Sequence, residues 1–290
     1  MATCVILLLG WAVPGTGARA WLAYLAMESR TAGRTSSIWV YVAIGLAAGM
    51  LSGLLGVGGG IILVPLLVGV VGLDQHRAHA TSLAAILVIA LTGAIRLGVA
   101  GEVDWVVGAL VGLGAITGST FGSRLMGRMS PRVLRAVFVL VLTVAAVRML
   151  TGGDVGLGAG IEGFPVVVVA VAVGLLAGFA GALAGIGGGV IIVPSLVFFL
   201  GIEQHTAGGT SLMAIVFTAL AATRVNWRAG RVDLREGFTL GGAGVISALV
   251  GSSVALALDA SLLTRIFGGF ALLVAIRMAL SLRSAQRPPR

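Results

Sequence analysis

The chain has 290 residues, of which 58% are hydrophobic and only 10% are charged. A soluble domain is typically about 45–50% apolar and about 25% charged, so this chain lacks the polar residues that would cover a globular surface in water. The net charge is +9. All 19 basic residues are arginines, and they lie at the edges of apolar runs rather than on one basic face. We therefore exclude a soluble enzyme and a nucleic-acid partner, and we predict an all-α polytopic membrane protein in the lipid bilayer.

Metal and cofactor chemistry has no candidate residues in this sequence. The single cysteine excludes a disulfide framework or a multi-cysteine metal site. The three histidines, at positions 76, 79 and 205, do not have the spacing of a zinc site. Without lysine, a phosphate-binding loop that ends in lysine and Schiff-base chemistry are both excluded. We expect no metal, no cofactor and no catalytic residue.

The N-terminal segment, residues 1–37, has three interpretations. Its first 27 residues contain an apolar run from Val5 to Leu9, which Pro14 and two glycines then interrupt. This stretch is an additional helix, a signal-like segment, or untranslated sequence upstream of a start at Met27. The sequence leaves the three open.

Apolar stretches of membrane-spanning length follow from residue 38, because a spanning helix needs about 20 largely apolar residues. The predicted membrane segments are 38–72, 80–99, 105–123, 133–150, 165–201, 210–223 with its flanks, 237–257 and 262–282. Two of them, 38–72 and 165–201, are too long for one crossing. Each carries a glycine cluster at its middle and a proline soon after, so we predict that both are broken at the glycines.

An internal repeat relates these two long segments. The stretch from Gly56 to Pro65 recurs from Gly185 to Pro194, and matches continue at the same offset through the following segments. The predicted organisation is therefore a first transmembrane repeat at 38–150, a linker at 151–164, a second repeat at 165–282 and a cytoplasmic tail at 283–290. Duplicated membrane units with broken helices are typical of secondary transporters.

The arginines distinguish two topologies, because cytoplasmic connections carry the positive excess. If each long segment crossed once, the repeats would be parallel. With the arginine-rich C-terminus inside, the cluster at 224–235 would also lie inside, and the cluster at 124–135 would lie outside. If each long segment entered and returned to its starting side, the repeats would be inverted. The cytoplasmic side would then carry both clusters with Arg30, Arg34, Arg77 and the arginines from 277 onward. Only Arg96, Arg148 and Arg265 would lie outside, so we predict inverted repeats.

The glycine clusters are the first candidate substrate site. Glycine adopts backbone angles closed to other residues, and a helix that restarts after the break directs its N–H groups and positive dipole end inward. Such an end binds anions. The alternative is that the glycines only allow close packing, as the spacing of Gly45, Gly49 and Gly53 indicates. The candidate residues are Gly58, Gly59, Gly60 and Pro65 in the first copy and Gly187, Gly188, Gly189 and Pro194 in the second.

Two polar pairs follow each proline at matched positions. Gln75 and His76 correspond to Gln204 and His205. A histidine could carry a coupling proton or bind an anion, or it could simply lie at the membrane interface.

The second pair is Thr81 and Ser82, matched by Thr210 and Ser211. These residues precede the next apolar run, so helix capping is the favoured interpretation. A helix start beside a cavity could also bind an anion, and the four residues are retained as candidate substrate ligands.

Two further matched pairs have structural interpretations. Asp104 and Asp233 each precede a helix, and we predict that they cap its N-terminus. Arg148 and Arg277 lie near the ends of equivalent helices, where a charged side chain extends to the membrane interface.

The duplicated Gly-x-Gly-Gly-Gly-x-x-x-x-Pro pattern, each copy followed by His and then Thr-Ser-Leu, resembles the sulfite exporter TauE/SafE family of the toluene-sulfonate uptake permease group. The resemblance covers residues 38 to 282. It implies an inner-membrane permease for small sulfur-containing anions, with about eight membrane segments in two homologous halves. The glycine clusters and prolines named above match the family motif, whereas the N-terminal segment departs from the usual pattern.

We therefore predict a multi-pass inner-membrane secondary transporter that is not an enzyme. Its partner is a small anionic substrate such as sulfite, thiosulfate or an organosulfonate, and we expect export to be coupled to the proton gradient. A passive channel for anions or small solutes is one alternative, and a membrane assembly factor without transport is another. The oligomeric state is left open.

Overall fold

The computed structural model describes residues 37–125, 131–151, 163–184 and 188–284, and within these ranges the chain is helical, with no strand. Ten α-helices occur there. They are α1 (Ile38–Leu55), α2 (Gly60–Leu66, continued by a π-helical turn at Leu67–Val71), α3 (Gln75–Val99), α4 (Trp105–Leu125), α5 (Pro131–Thr151), α6 (Phe164–Ala184), α7 (Gly189–Leu200), α8 (Gln204–Arg228), α9 (Leu234–Ala257) and α10 (Ala260–Ser284).

Aspartates fix where several of these helices begin. The Asp104 side chain accepts hydrogen bonds from the N–H groups of Val106 and Val107. The Asp233 side chain accepts one from the N–H of Glu236. Both aspartates therefore satisfy donors that a helix N-terminus leaves free, and the prediction that they are N-terminal caps is confirmed.

The segment 38–72 breaks at its glycine cluster, as predicted. Helix α1 ends at Leu55, Gly56 and Gly59 adopt left-handed backbone angles, and α2 begins at Gly60. A Cβ atom placed on Gly59 would lie 2.8 Å from the carbonyl oxygen of Ala48, eleven residues earlier in α1. The chain therefore reverses at the glycines and α2 runs back along α1.

The segment 165–201 breaks in the same way. Helix α7 begins after Gly188, whose φ is 76°. A Cβ atom on Gly188 would lie 2.9 Å from the carbonyl oxygen of Ala177, again eleven residues earlier. The predicted break in each long segment is thus confirmed, although Gly187 itself lies outside the described residues.

Small residues hold α1 against α9 along their length. A Cβ atom on Gly45 would meet the backbone of Leu240, one on Gly49 would meet Gly244, and one on Gly53 would meet Ala248. The residue numbers increase together, so the two helices are parallel. Close backbone approach over small residues is the packing expected of membrane helices. Helices α4 and α6 pack in the same manner.

Helices α3 and α8 form the centre of the molecule and run antiparallel. A Cβ atom on Gly93 would lie 2.7 Å from the Leu212 side chain, while Leu97 and Gly208 line one cavity. Helix α8 begins and ends 129 residues after α3. Helices at equivalent positions of the sequence repeat therefore run in opposite directions, as α1 and α6 also do.

The helix directions define two ends of the bundle. At one end the N–H of Asp233 donates to the Thr81 hydroxyl at 3.2 Å, and the Tyr41 hydroxyl donates to Glu236 at 2.7 Å. This end, called the arginine face below, carries Arg77, Arg224, Arg228, Arg231, Arg235 and Arg277. The other end, the opposite face, carries Arg96, Arg148 and Arg265.

Apolar surface covers the outside of the bundle. Large side chains such as Val99, Phe164 and Val254 are exposed in the protein, which fits contact with lipid rather than water. Five described helices are long and apolar enough to cross a bilayer, namely Ile38–Leu55, Gln75–Val99, Gln204–Arg228, Leu234–Ala257 and Ala260–Leu280. The chain is a polytopic α-helical membrane protein.

Two predicted helix starts are wrong. The segments expected to begin at 80 and 210 belong to helices that already begin at Gln75 and Gln204. The Asp74 carboxylate accepts from the N–H groups of His76 and Arg77 and starts α3 there. The polar stretch from Gln75 to Ala80 is not hydrophobic, but its glutamine, arginine and alanines are good helix formers and continue the helix.

Capping is consequently the wrong interpretation for four residues. Thr81 and Ser82 lie in the second turn of α3, and Thr210 and Ser211 lie at the same depth in α8. The N-terminal segment through residue 36, most of the predicted linker and the last six residues lie outside the described ranges.

Candidate functional site

The two glycine breaks meet at the centre of the bundle. A Cβ atom on Gly189 would lie 2.6 Å from the carbonyl oxygen of Val57. It would also lie 2.7 Å from the Ile215 side chain of α8, and one on Gly58 would lie 3.0 Å from that same side chain. The breaks therefore contact each other beside the α3–α8 pair, and no larger residue fits where they touch.

Both breaks place uncapped helix N-termini at this contact. Gly58, Gly59 and Gly188 all have φ between 71° and 77°. The N-cap residues Gly59 and Gly188 have no side chain, so α2 and α7 begin without a side-chain hydrogen bond to their first N–H groups. Gly60 and Gly189, the first residues of the two helices, are buried. The free N–H groups at these helix starts can donate hydrogen bonds to an anion.

The prolines lie farther along the same helices. Pro65 is half-buried in α2 and precedes the π-helical turn at Leu67–Val71, whereas Pro194 is buried within α7. Proline has no N–H, so each leaves the carbonyl one turn earlier without its helical donor. Each proline follows the first residue of its helix by five positions and shapes α2 or α7 there, and its role as a substrate ligand stays a prediction.

The two Gln-His pairs have different environments. Gln75 and His76 are exposed on the arginine face. Gln204 is only 3% exposed, and its Oε1 has no hydrogen-bond partner among the described residues. The His205 Nε2 lies 2.9 Å from the carbonyl oxygen of Ala255. Only the second pair is brought into the interior.

A cavity accounts for this difference. It is a small, partly open space between the C-terminal ends of α1, α3 and α9 and the first turns of α8 and α10. Gln204, His205 and Gly208 line it from α8, and Gly56 brings the first glycine break to its wall. We call this space the α8 cavity. It lies at the opposite face, and the sequence analysis did not predict it.

Two differences between the sequence repeats accompany the α8 cavity, but hydropathy and motif patterns do not reveal their effect. Glu203 stands where the first repeat has Asp74, and Gly208 stands where it has His79. The longer glutamate makes no side-chain cap of α8, and the glycine leaves space that a histidine would fill.

The Thr-Ser pairs link the two halves of the molecule. The Thr210 hydroxyl accepts from the N–H of Asp104 at 2.9 Å, and the Thr81 hydroxyl accepts from the N–H of Asp233 at 3.2 Å. Each threonine thus fixes the connection that leads into α4 or α9 of the other half. The Ser82 hydroxyl donates to the His79 carbonyl, whereas the buried Ser211 hydroxyl has no partner in the described part of the chain.

Charged groups lie at the ends of the bundle. Arg77 lies 3.9 Å from Asp233 at the arginine face. At the opposite face the Arg96 side chain donates to the Ser253 hydroxyl at 3.3 Å, and the Arg148 guanidinium lies 5.8 Å from the centre of the Phe198 ring. In the described ranges, no three metal-ligating side chains come together.

The chain is similar in sequence to known membrane proteins. The family model described as sulfite exporter TauE/SafE matches residues 2–149 and 170–290. The chain belongs to the TauE/SafE sulfite exporter family. The match includes the N-terminal segment that lies outside the repeat, where the resemblance had been read as a departure from the family pattern.

Relatives of this TauE/SafE chain carry transporter names. A probable membrane transporter protein of Xylella fastidiosa strain Temecula1 is 35% identical over 256 residues, which are 83% of this chain and 94% of that protein. Its counterpart in strain 9a5c is 34% identical over the same shares. The probable membrane transporter protein YunE of Bacillus subtilis is 33% identical over 42% of this chain and 46% of its own. No solved structure matches the chain.

Proposed function

We propose that this TauE/SafE protein is a secondary transporter that exports small sulfur-containing anions across the inner membrane and is coupled to the proton gradient. The observation that carries the proposal is the contact between two uncapped helix breaks beside α3 and α8. Family membership and the transporter names of its relatives support a transport function. Those names specify no substrate, direction or coupling ion.

The case for an anion is electrostatic. Each helix N-terminus carries about half a positive elementary charge, which the free N–H groups at Gly60 and Gly189 present without a capping side chain. Irregular backbone at membrane depth is tolerated only where protein buries it or where it lines a watery cavity. Two such ends that face one point would stabilise an oxyanion by hydrogen bonds alone.

The case for alternating access is geometric. Transporters built from two units of opposite direction place their site between the units and expose it to one side at a time by a rocking motion. Here equivalent helices run in opposite directions, and reciprocal hydrogen bonds of Thr81 and Thr210 join each half to the other. Sliding along the α3–α8 contact would open the site to one face and close it to the other.

A substitution pair tests the central site. In proteoliposomes, we expect Gly59→Ala and Gly188→Ala to lower the initial flux of thiosulfate about tenfold or more. A Cβ atom there would clash with a carbonyl of the preceding helix, and it would add about 1–2 kcal/mol of left-handed strain. Radiolabelled thiosulfate measured against time reports the flux.

Gly72→Ala is the matched control for these variants. Gly72 also has a positive φ, of 82°, but a Cβ atom there would meet nothing within 4 Å. It shares the backbone strain without the clash, so its flux should stay near that of the native protein. Equal loss in all three variants would contradict a site at the breaks.

The same vesicles distinguish the alternative functions. A proton-coupled carrier saturates with substrate and responds to an imposed pH gradient. Flux that rises without saturation would favour the channel. Absence of flux for sulfite, thiosulfate, sulfoacetate and sulfate alike would refute this substrate class.

A further inference from the structure

One carboxyl group lies within the described helices. Among these ten helices, α9 alone contains an acidic residue, Glu236 in its first turn. Glu236 is half-buried, and its Oε1 accepts a hydrogen bond from the Tyr41 hydroxyl of α1 at 2.7 Å. Tyr41 is itself only 8% exposed. Because carboxyl groups are rare in membrane-spanning helices and mark ion or proton pathways there, Glu236 is a candidate functional group.

Helix capping does not account for the Glu236 side chain. A glutamate three residues after an N-cap residue can reach back to the N–H of that residue, in the arrangement called a capping box. Here the N–H of Asp233 donates instead to the Thr81 hydroxyl at 3.2 Å, and the Asp233 carboxylate accepts from the N–H of Glu236. The Glu236 carboxylate bonds to α1, which belongs to the other half of the molecule.

Contact between the two halves does not require Glu236 either. Both halves make the same hydrogen bond between a buried threonine hydroxyl and the aspartate that caps the neighbouring helix. At the repeat offset of 129 residues, however, Glu236 corresponds to Val107 and Tyr41 corresponds to Ala170. Valine and alanine cannot form an equivalent pair. The bond between Tyr41 and Glu236 is therefore an addition to one half only.

The groups around Glu236 act on its charge in opposite senses. The Tyr41 hydroxyl and the Arg77 guanidinium, which lies 3.9 Å from Asp233, favour the ionised carboxylate. Burial and the Asp233 carboxylate favour the neutral acid. Loss of one contact can therefore change whether Glu236 holds a proton. The titratable and charged side chains at this end of α9 and of the two helices packed against it are Tyr41 of α1, His76, Arg77 and His79 of α3, and Asp233 and Arg235 of α9.

The bond between Tyr41 and Glu236 holds the first turn of α1 at the arginine face. The close glycine contacts between α1 and α9 begin one turn deeper, where a Cβ atom on Gly45 would meet the backbone of Leu240. A hydrogen bond to an ionised group is roughly twice as strong as one between neutral groups. Proton uptake by Glu236 would therefore weaken the bond and favour release of this turn. By reciprocity, release of Tyr41 would favour proton uptake.

We propose that Glu236 binds the proton that is coupled to transport, and that this proton opens the bundle at the arginine face by releasing Tyr41. The inference rests on the proposed function and deepens it by assigning the coupling ion to one carboxyl group. Because the pair exists in one half only, one proton is coupled through it in each transport cycle.

Glu236→Gln separates proton coupling from movement of the anion. Glutamine keeps the size of the side chain and an acceptor oxygen for Tyr41, but it does not take up a proton. In proteoliposomes without a membrane potential, an imposed proton gradient of about tenfold should shift the steady-state ratio of thiosulfate across the membrane by up to about tenfold for one coupled proton. We expect this shift in the native protein, whereas the ratio for Glu236→Gln should stay near unity. Exchange of labelled for unlabelled thiosulfate at equal pH should continue in the variant, which shows that it is folded.

Glu102→Gln is the matched control. The Glu102 carboxylate also accepts from a hydroxyl of the other half, that of Thr206 at 2.5 Å, but it lies between α3 and α4 at the opposite face. Its thiosulfate ratio should follow the proton gradient as in the native protein. A ratio that follows the gradient equally in Glu236→Gln would overturn the proton site.

Infrared difference spectra detect the proton without transport, so they distinguish failure of this inference from failure of the proposed function. As the pH is lowered, the full-length protein in detergent should develop the C=O stretching band of a protonated carboxyl group that Glu236→Gln lacks and Glu102→Gln keeps. A protein that shows this band but does not move thiosulfate retains Glu236 as a proton-binding group and contradicts the proposed function. A protein that moves thiosulfate along the proton gradient but shows no band specific to Glu236 retains transport and loses the proton site.

Discussion

At the scale of single residues, Thr81 and Thr210 have the clearest consequence for stability. Each hydroxyl accepts a backbone N–H from the opposite half, at Asp233 and Asp104 respectively. Both threonines are fully buried. Removing the hydroxyl leaves a donor without its acceptor, which costs about 1–3 kcal/mol when the donor is buried.

We therefore expect Thr81→Val and Thr210→Val each to lower the free energy of unfolding by about 1–3 kcal/mol. Thermal unfolding of the protein in detergent would show this as a lower midpoint. Thr239→Val is the matched control, because the Thr239 hydroxyl bonds only to the Arg235 carbonyl of its own helix. A midpoint for Thr210→Val equal to that of the control would contradict a link between the halves.

Sequence reading at this scale succeeds for local contacts and fails for distant ones. Asp104 was recognised as a cap because its partners, Val106 and Val107, follow it directly. The local pattern predicts capping for Thr81, but its partner is 152 residues away, and no local pattern distinguishes a cap from a buried acceptor. Gln75 and Gln204 are the same residue type at equivalent positions of the repeat. Only the surrounding helices bury Gln204 and leave Gln75 exposed.

At the scale of helices, glycine spacing predicted packing but not the packing partner. The repeat of Gly45, Gly49 and Gly53 indicated a close helix contact, and the structure supplies α9 as the partner. The broken segments were predictable from length and glycine content, because an apolar run of 35 residues exceeds one crossing. The π-helical turn after Pro65 and the meeting of the two breaks depend on tertiary packing, which the sequence pattern does not contain.

Replacing Gly49 tests that helix contact. A Cβ atom there would lie 2.7 Å from the Gly244 Cα atom and still closer to the Ser247 hydroxyl. We expect Gly49→Ala to separate α1 from α9 and to destabilise the protein by about 1–3 kcal/mol, the usual cost of overpacking.

Gly242→Ala is the control on the partner helix, since a Cβ atom at Gly242 would meet nothing within 4 Å. Thermal unfolding and size-exclusion profiles in detergent compare the two variants. If Gly49→Ala unfolds at the midpoint of Gly242→Ala, the helices are not in the contact described.

At the scale of the whole molecule, the helix directions collect most of the described arginines at one end of the bundle. Arg77 and the arginines from 224 to 235 lie at one end of the bundle, and Arg96, Arg148 and Arg265 lie at the other. Because cytoplasmic connections carry the positive excess, we infer that the arginine face is cytoplasmic. The α8 cavity and its Gln204 then open towards the periplasm.

Cysteine accessibility tests this orientation with two equivalent positions. Ala100 follows α3 and Ala229 follows α8, both are exposed, and they are 129 residues apart. In a protein whose single native Cys4 is replaced by serine, inverted halves place a cysteine at Ala100 outside the cell and one at Ala229 inside. A membrane-impermeant thiol reagent should therefore label Ala100→Cys in intact cells, and Ala229→Cys only after the membrane is opened.

Parallel halves would place both cysteines on one side, because equivalent positions of parallel units face the same compartment. Labelling of both variants in intact cells, or of neither, would exclude the inverted arrangement and with it the periplasmic assignment of the α8 cavity.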